Sequence, residues 1–324
     1  MAAPDVSIII AAYECSAFIG RAIKSVLAQQ QVDLEVLIIN DGSTDDLDAT
    51  LAPLLHGDPR FTLIDLPRNG GPSVARNAGF RAARGEWLAI LDADDALEPG
   101  RLARLVSIGR TAGADIVADN FCYYDARTET QGAPGLTLSP ARQIIDRYGF
   151  VAGARPYTSE ADFGLLKPLF RRSFIEANQL AYPPEVRHGE DFVLYINALL
   201  RGAKFVLTRE PGYLYTTRAS GLSRTIVDYE GQLQQVELLK QRPEIAADSR
   251  LLALLDARAG ALRRLATERE FQAIVSSRNK AAMVAFAFGG SRNANLAARW
   301  FGRALLRKSR GGTAQPQKGS SPSW

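Results

Sequence analysis

Short apolar runs alternate with amphipathic stretches over the first 120 residues. Two of the apolar runs, 6–12 and 34–40, are rich in β-branched residues, as expected of strands covered on both faces. Between them, Phe18 to Leu27 places apolar residues at helical spacing, which completes a βαβ unit. Strands and helices that alternate in this way predict an α/β fold with a doubly wound, mostly parallel sheet and helices on both faces.

The same patterns predict the remaining organisation of the chain. Further strands are expected near 61–66, 87–92 and 114–120, and further helices near 45–56, 73–84 and 98–112. Residues 127–140 resemble an exposed excursion, a helix is expected to begin at Gly189, and the chain from Tyr229 is helical in character. We therefore predict an α/β domain over 1–228, a C-terminal helical region over 229–310 and a disordered tail over 311–324.

Polar residues follow the ends of four predicted strands. They are Tyr13 and Glu14, Asp41, Arg68 and Asn69, and finally Asp92, Asp94 and Asp95. The carboxyl ends of parallel strands lie at one edge of a sheet, where such sheets bind their ligands. One crevice is therefore predicted to collect these side chains.

The amino-acid composition of the chain limits the kinds of site that are expected in this crevice. The chain has 324 residues, 46% of them hydrophobic, and no run approaching the ~20 apolar residues of a membrane helix, which predicts a globular protein. The two cysteines, Cys15 and Cys122, are far apart in the sequence, and no secretory signal is recognised. We therefore expect the protein in the reducing cytoplasm. With only two histidines, His56 and His188, a zinc site is not expected, so any catalytic metal must be held by oxygen atoms.

Positive charge is concentrated near the C-terminus. Seven basic residues and no acidic ones follow Ser291. Because the net charge of the whole chain is only +4, the part before this segment is net negative. Nucleic-acid binding is therefore not expected. Arg299, Arg303 and Arg307 recur every four residues, while Trp300 and Leu305 lie near one apolar face. This pattern in 292–310 suits the surface of an anionic membrane or a helix packed on its own domain.

The sequence WLAILDADD, Trp87 to Asp95, places three carboxylates directly after an apolar strand. Such carboxylates repel one another unless a cation compensates, and Mg²⁺ or Mn²⁺ bridging to phosphate oxygens would do so. Strand alternation would put Asp92 and Asp94 on one side. The alternative is a solvated turn in which Asp94 or Asp95 caps the next helix.

Two other motifs are open to more than one interpretation. In NDGSTDD, Asp41 could accept a hydrogen bond from a nucleobase, or Ser43 or Thr44 could simply cap a helix. In RNGGPSVARNAG, Arg76 opposes the dipole at a helix N-terminus, so either a compensating anion such as diphosphate or an ordinary surface position would explain it. Neither a Walker A sequence nor a G-x-G-x-x-G fingerprint is present.

Five motifs in order, VSIIIAAYE, VLIINDGSTDD, RNGGPSVARNAG, WLAILDADD and HGED, closely resemble the family 2 glycosyltransferases of the GT-A fold. More narrowly, the chain is similar to bacterial exopolysaccharide sugar transferases of the succinoglycan-assembly kind. The resemblance covers about 5–223. Asn40 departs from it, because the family often has an aspartate there.

The resemblance implies roles for individual residues. Asp41 and Tyr13 would bind the uracil of a UDP-sugar and Asp92 its ribose, Asp94 would ligate the divalent cation, Mg²⁺ or Mn²⁺, and Asp191 would be the catalytic base. An aspartate in the first turn of a helix is kept ionised by ~0.3–1 kcal/mol, which suits a base. Further donor-site contacts would come from Ala12, Glu14, Arg68, Arg76, Ala93 and Arg218, with Asp95, His188 and Glu190 as secondary candidates.

The family's chemistry implies an inverting transfer of one sugar from the UDP-sugar donor, with glucose as the expected sugar. The acceptor would be a hydroxyl of a growing oligosaccharide linked to polyprenyl diphosphate at the cytoplasmic leaflet, where 292–310 would contact the membrane. LAARW, Leu296 to Trp300, lacks the glutamine of the Q-x-x-R-W motif of processive synthases, which favours single transfers. A nucleotidyltransferase and a non-catalytic nucleotide-sugar or glycan-binding protein are the alternatives.

Overall fold

The computed structural model describes residues 3–55, 57–156, 162–217, 227–277, 279–290 and 293–298. Arg218, most of the basic stretch 292–310 and the tail 311–324 lie outside these ranges. No helix in the described ranges is both long and apolar enough to cross a membrane.

The first hundred residues form the predicted alternation of strands and helices. In chain order they are β1 (Val6–Ala12), α1 (Ile19–Leu27), β2 (Leu34–Asn40), α2 (Leu47–Leu55), β3 (Phe61–Asp65), α3 (Pro72–Ala82) and β4 (Trp87–Ile90). The strands pair in parallel in the order β3-β2-β1-β4. Continuous burial along β1 and β2 confirms that helices cover both faces of this half of the sheet.

The following residues extend the sheet with mixed pairing. They form β5 (Ala96–Leu97), α4 (Arg101–Ala112), β6 (Ile116–Asp125), β7 (Thr130–Pro134), β8 (Arg142–Ile145), α5 (Arg147–Gly153), β9 (Leu169–Arg171), α6 (Arg172–Ala177), α7 (Glu190–Leu200) and β10 (Phe205–Thr217). Short β9 lies antiparallel between β4 and β6, and β10 runs parallel to β6. The main sheet order is β3-β2-β1-β4-β9-β6-β10-β5, so β9 joins the parallel half, β3-β2-β1-β4, to a mixed half in which only β6 and β10 pair in parallel.

The C-terminal part is helical, as predicted. It comprises α8 (Tyr229–Lys240), α9 (Pro243–Ala246), α10 (Ser249–Ser276) and α11 (Lys280–Phe288). Leu251 and Leu255 of α10 belong to the same buried cluster as the strand residues, whereas Phe271, Phe286 and Ala297 form a separate small cluster. The first part of the helical region therefore shares the core of the sheet.

Several predicted boundaries near the aspartates are wrong. Strand β4 ends at Ile90 and not at Asp92, because Asp95 N–H donates to the Asp92 carbonyl at 3.0 Å and closes a turn. Helix α4 begins at Arg101 after the left-handed Gly100, without a side-chain cap, so neither Asp94 nor Asp95 caps it. Strand alternation therefore does not govern the direction of the three carboxylates.

Candidate active site

Asp41, directly after β2, organises the turn that precedes α3. Its Oδ1 accepts from Gly70 N–H and its Oδ2 from Gly71 N–H, both at 2.8 Å. Burial raises the pKa of Asp41, despite these hydrogen bonds. Gly42 has φ +73°, and an added Cβ there would lie 2.7 Å from Asn69 N, so the two turns touch. Each carboxylate oxygen still has a second lone pair to offer a ligand.

The segment after β1 faces the segment after β2. Glu14, at φ 48°, accepts through Oε1 from Thr44 N–H at 2.8 Å and from the Thr44 hydroxyl at 2.9 Å. Its own N–H donates to Ser43 Oγ at 3.2 Å. The interpretation of Ser43 or Thr44 as a helix cap is therefore wrong, because α2 begins only at Leu47.

The remaining donor-site candidates near these turns differ in burial. Tyr13 is 43% exposed and Arg68 is also exposed, so both side chains are accessible to a ligand. Ala12 is buried, and its carbonyl accepts from Asp41 N–H at 2.8 Å. The backbone thus brings the ends of β1 and β2 to one edge, as the sequence predicts.

The aspartates after β4 point to different partners. Asp92 Oδ1 lies 2.7 Å from Arg76 Nη2, and its Oδ2 lies 3.0 Å from Lys167 Nζ. Burial would raise the pKa of Asp92, but Lys167 and Arg76 outweigh it and hold that pKa well below its ordinary value. Ala93 is buried between the aspartates, and Asp94 is half-buried.

Asp95 is buried on the other side of the turn. It accepts from the Tyr213 hydroxyl and from Thr216 N–H of β10, both at 2.7 Å. Burial, together with the nearby charges of Asp92 and Asp94, raises the pKa of Asp95 to about 8. Asp95 therefore holds β10 against the turn. The Thr216 hydroxyl adds a further contact by donating to the Asp94 carbonyl.

Arg76 lies in α3 and is buried among carboxylates. Its Nη1 is 2.6 Å from Glu190 Oε1 and 3.5 Å from Asp191 Oδ1, while Nη2 binds Asp92. Burial would lower the pKa of Arg76, but the three carboxylates outweigh it and raise that pKa well above its ordinary value. The compensating anions at this helix are therefore supplied by the protein itself. This arrangement rules out the surface-arginine interpretation.

Helix α7 begins at the site, as predicted, with the left-handed Gly189 before it. Glu190 and Asp191 are both buried in its first turn. Burial raises the pKa of Glu190, although Arg76 acts in the opposite direction. Just before the helix, the ring nitrogen Nδ1 of His188 is buried without a hydrogen-bond partner in the described part of the chain.

Lys167 is a site residue that sequence reasoning missed. Its Nζ lies 2.8 Å from Asp191 Oδ2 and 3.0 Å from Asp92 Oδ2, and its side chain is only 5% exposed. The sequence signal was a single lysine in the apolar run GLLKPLF, since lysine is rarely buried unless it is paired. Nothing in the sequence indicated its partners.

The predicted residues, together with Lys167, thus form two groups. Asp41, Glu14 and the glycine turn form one, while Arg76, Lys167, Asp92, Glu190 and Asp191 form an ionic cluster beside it. Asp95 supports the turn from below. Arg218 lies outside the described residues.

A divalent cation is implied by the fold. Among the described residues, no group of three or more His, Cys, Asp or Glu side chains would hold a metal by itself. Mg²⁺ and Mn²⁺, however, need only one or two carboxylates when phosphate oxygens supply the other ligands. Half-buried Asp94, in a turn where burial and the neighbouring carboxylates raise the pKa of Asp95, fits this donor set.

Comparison with known sequences identifies relatives of this chain. The sequence model of Glycosyl transferase family 2 matches residues 7–176. The succinoglycan biosynthesis protein ExoO of Rhizobium meliloti is 40% identical over 232 residues, which cover 69% of this chain and 64% of ExoO. ExoU of the same organism is 37% identical over 226 residues, 68% of this chain and 65% of ExoU. The matches span less than two thirds of either relative.

Two solved structures share the fold. S. aureus TarS 1-349 in complex with UDP-GlcNAc superposes with a TM-score of 0.63 at 19% identity, covering 78% of this chain and 71% of that one. The mannosyltransferase PcManGT from Pyrobaculum calidifontis, in complex with GDP-Man and Mn²⁺, gives 0.55 at 20% identity, covering 96% and 83%. The architecture is therefore of the GT-A type.

Proposed function

This chain belongs to glycosyl transferase family 2, and from that premise we propose that it is an inverting glycosyltransferase that uses a UDP-sugar. It would move one sugar, glucose in our proposal, to a hydroxyl of a growing exopolysaccharide oligosaccharide. The names of ExoO and ExoU support an acceptor of the succinoglycan kind. We extend this to an acceptor carried on polyprenyl diphosphate at the cytoplasmic face of the membrane.

The observation that carries this proposal is the link between two aspartates from distant parts of the chain. Asp92 follows β4 and Asp191 lies in the first turn of α7, yet the same two cations, Arg76 and Lys167, contact both carboxylates. A donor held near Asp92 would therefore lie close to Asp191. A transferase needs this arrangement, because the acceptor hydroxyl must meet the anomeric carbon of the bound donor.

Each residue then has a task in the proposed reaction. Asp41 and exposed Tyr13 would bind the uracil, and Asp92 would bind the ribose. A divalent cation bound by Asp94 and the diphosphate would neutralise the charge of the departing UDP. Arg76, already engaged by three carboxylates, would keep Asp92 and Asp191 in place.

Asp191 would act as the general base. Its carboxylate would accept the proton of the acceptor hydroxyl while that oxygen attacks the anomeric carbon from the face opposite UDP. The new glycosidic bond forms as the bond from the anomeric carbon to the diphosphate oxygen breaks, and the electron pair leaves with UDP. One displacement inverts the anomeric configuration without a covalent sugar-enzyme intermediate.

The test measures nucleotide binding and transfer separately. Calorimetry with UDP, GDP and ADP in the presence of Mn²⁺ should show binding selective for UDP, and EDTA should weaken it. With a UDP-sugar and a truncated oligosaccharide acceptor, NMR of the product should show an inverted anomeric centre. Asp191→Asn should lower kcat by about 10²–10⁴-fold while UDP affinity stays within about threefold.

The control is Asp94→Asn, which should weaken Mn²⁺-dependent UDP binding and so separate the two roles. A retained anomeric configuration, or unchanged turnover in Asp191→Asn, would contradict the mechanism. Release of pyrophosphate would instead indicate a nucleotidyltransferase. UDP-sugar binding without transfer to any acceptor would indicate a binding protein.

A further inference from the structure

Arg76, Asp92, Lys167 and Asp191 form a closed ring of alternating charge. Arg76 lies 2.7 Å from Asp92, Asp92 lies 3.0 Å from Lys167, and Lys167 lies 2.8 Å from Asp191. The ring closes at 3.5 Å between Asp191 and Arg76. Three contacts have the length of charge-assisted hydrogen bonds or nearly so, and the closing one is longer.

The backbone around Lys167 is fixed on both sides. The Leu166 carbonyl accepts from the Tyr195 hydroxyl of α7 at 2.7 Å, and the Lys167 carbonyl accepts from Arg101 Nη2 at 2.5 Å. Arg101 is itself buried against Asp119 at 2.8 Å. The backbone of Lys167 is therefore held in place by hydrogen bonds. The one from Tyr195 connects it to α7, the helix that carries Asp191.

The two oxygens of Asp191 have different surroundings. Oδ2 accepts from Lys167 Nζ at 2.8 Å. Oδ1 is buried and has no hydrogen-bond partner among the described residues, since the Arg76 nitrogen is 3.5 Å away. Leaving a buried carboxylate oxygen unpaired is costly, so such atoms often mark a place where a ligand binds.

We propose that Lys167 is a positioning residue that anchors Asp191 Oδ2 and leaves Oδ1 to take the proton of the acceptor hydroxyl. This inference rests on the proposed function. Because Oδ1 is enclosed, the acceptor reaches it only after a local opening of the site.

The charge of Lys167 supports a positioning role. Burial alone would lower the pKa of Lys167, but Asp191 and Asp92 outweigh it and raise that pKa well above its ordinary value. The ammonium group thus keeps its proton at neutral pH and orients a carboxylate. Its loss would free the Asp191 side chain to turn, while Arg76 would still hold Asp92, the proposed ribose ligand, at 2.7 Å.

The experiment compares Lys167→Met with the wild type in the full-length protein. Misplacing a catalytic group typically costs 10–100-fold, so kcat should fall by up to about 100-fold. The KM for the UDP-sugar and the Kd for UDP should remain within about threefold. Ethylammonium, but not ethanol, should restore part of the kcat of Lys167→Ala, because the missing element is a cation and not volume.

Controls separate positioning from damage to the fold. Lys204→Met removes an exposed lysine that bonds the Ala112 carbonyl and should leave kcat unchanged. Wild-type kcat in Lys167→Met, equal restoration by ethanol, or a loss of UDP affinity as large as the loss of kcat would overturn the role of Lys167 alone. A wild type without transfer activity would overturn the proposed function and this inference with it.

Discussion

At the scale of single residues, Asp95 is the clearest reason for the stability of the protein to depend on pH. Its carboxyl is 2% exposed and lies near Asp92 and Asp94, and its pKa is raised from 3.8 to about 8. The folded protein therefore binds a proton that the unfolded chain releases between these two values. The stability that Asp95 contributes is fully present below about pH 4 and is lost as the pH rises towards 8.

Asp95→Asn should remove this dependence, since asparagine resembles the protonated acid in shape and charge. The free energy of unfolding of the variant, relative to the wild type, should increase by about 2–4 kcal/mol between pH 5 and pH 8. Urea unfolding at several pH values in EDTA measures the difference. Exposed Asp48→Asn is the control and should follow the wild type. A constant difference across this range would contradict the raised pKa.

The sequence singled out most of the acidic residues that the structure brings together, but not how they are paired. Asp92 and Asp191 could be assigned because each lies at a recognisable junction of elements and matches a family motif. Lys167 could not, because its partners Asp92 and Asp191 are brought to it only by the tertiary fold. For the same reason, the sequence left open whether Arg76 was buried or a surface arginine.

At the scale of elements, periodicity predicted the parallel half of the sheet and most helix positions. It failed where tertiary pairing decides the structure. Three-residue β9 has no period of its own and forms because its backbone completes both β4 and β6. The prediction for the residues after β4 is wrong for the same reason, because strand alternation stops at Ile90 and the next residues close a hydrogen-bonded turn.

Close packing of α3 on β1 gives a prediction at this scale. Gly79 of α3 sits against Ile9, and a methyl group at Gly79 would overlap the Ile9 side chain. Gly79→Ala should lower the free energy of unfolding by about 1–3 kcal/mol through overpacking. It should also reduce transfer activity, because α3 carries Arg76.

Gly20→Ala is the matched control for Gly79→Ala. Gly20 lies in α1, and its added Cβ would make an ordinary 3.7 Å contact with Leu54. Alanine is the better helix former by about 1 kcal/mol, so this variant should be neutral or more stable. Chemical denaturation of both variants tests the argument, and equal destabilisation would show that packing space is not the cause.

At the scale of the whole molecule, Arg258 joins the helical region to the α/β domain. Its Nη1 donates to the Ala154 carbonyl and lies 3.3 Å from Asp162 Oδ2. The guanidinium is 3.8 Å from the ring centre of Phe192, the residue after Asp191. Helix α10 thus touches the element that carries the proposed base.

Arg258→Met should therefore destabilise the entire protein in one transition. The substitution removes a buried guanidinium that bonds the Ala154 carbonyl and partly buried Asp162, so we expect a loss of about 3 kcal/mol in the free energy of unfolding. Exposed Arg250→Met, which removes only a cation over the Tyr148 ring, should cost less than about 1 kcal/mol. Two separate unfolding transitions in the wild type would contradict a shared core.

The proposed membrane contact is also a property of the whole chain. Helix α11 exposes Val284 at 57% and Phe288 at 86%, and the strongly basic C-terminal segment follows it. Each basic residue near an anionic bilayer contributes about 1 kcal/mol, and apolar side chains add to binding by insertion. We therefore expect the protein to partition onto vesicles that contain phosphatidylglycerol, and to do so less at high salt.

A charge variant of the full-length protein tests this without removing the packed residues near Ala297. It replaces with glutamine the basic residues Arg292, Arg299, Arg303, Arg307, Lys308, Arg310 and Lys318. In sedimentation with anionic vesicles, the partition coefficient of the charge variant should be at least about 100-fold lower than that of the wild type. Phe288→Ser should weaken it less and leave its salt dependence intact. Equal partition of the wild type and the charge variant would mean that these residues act only within the protein.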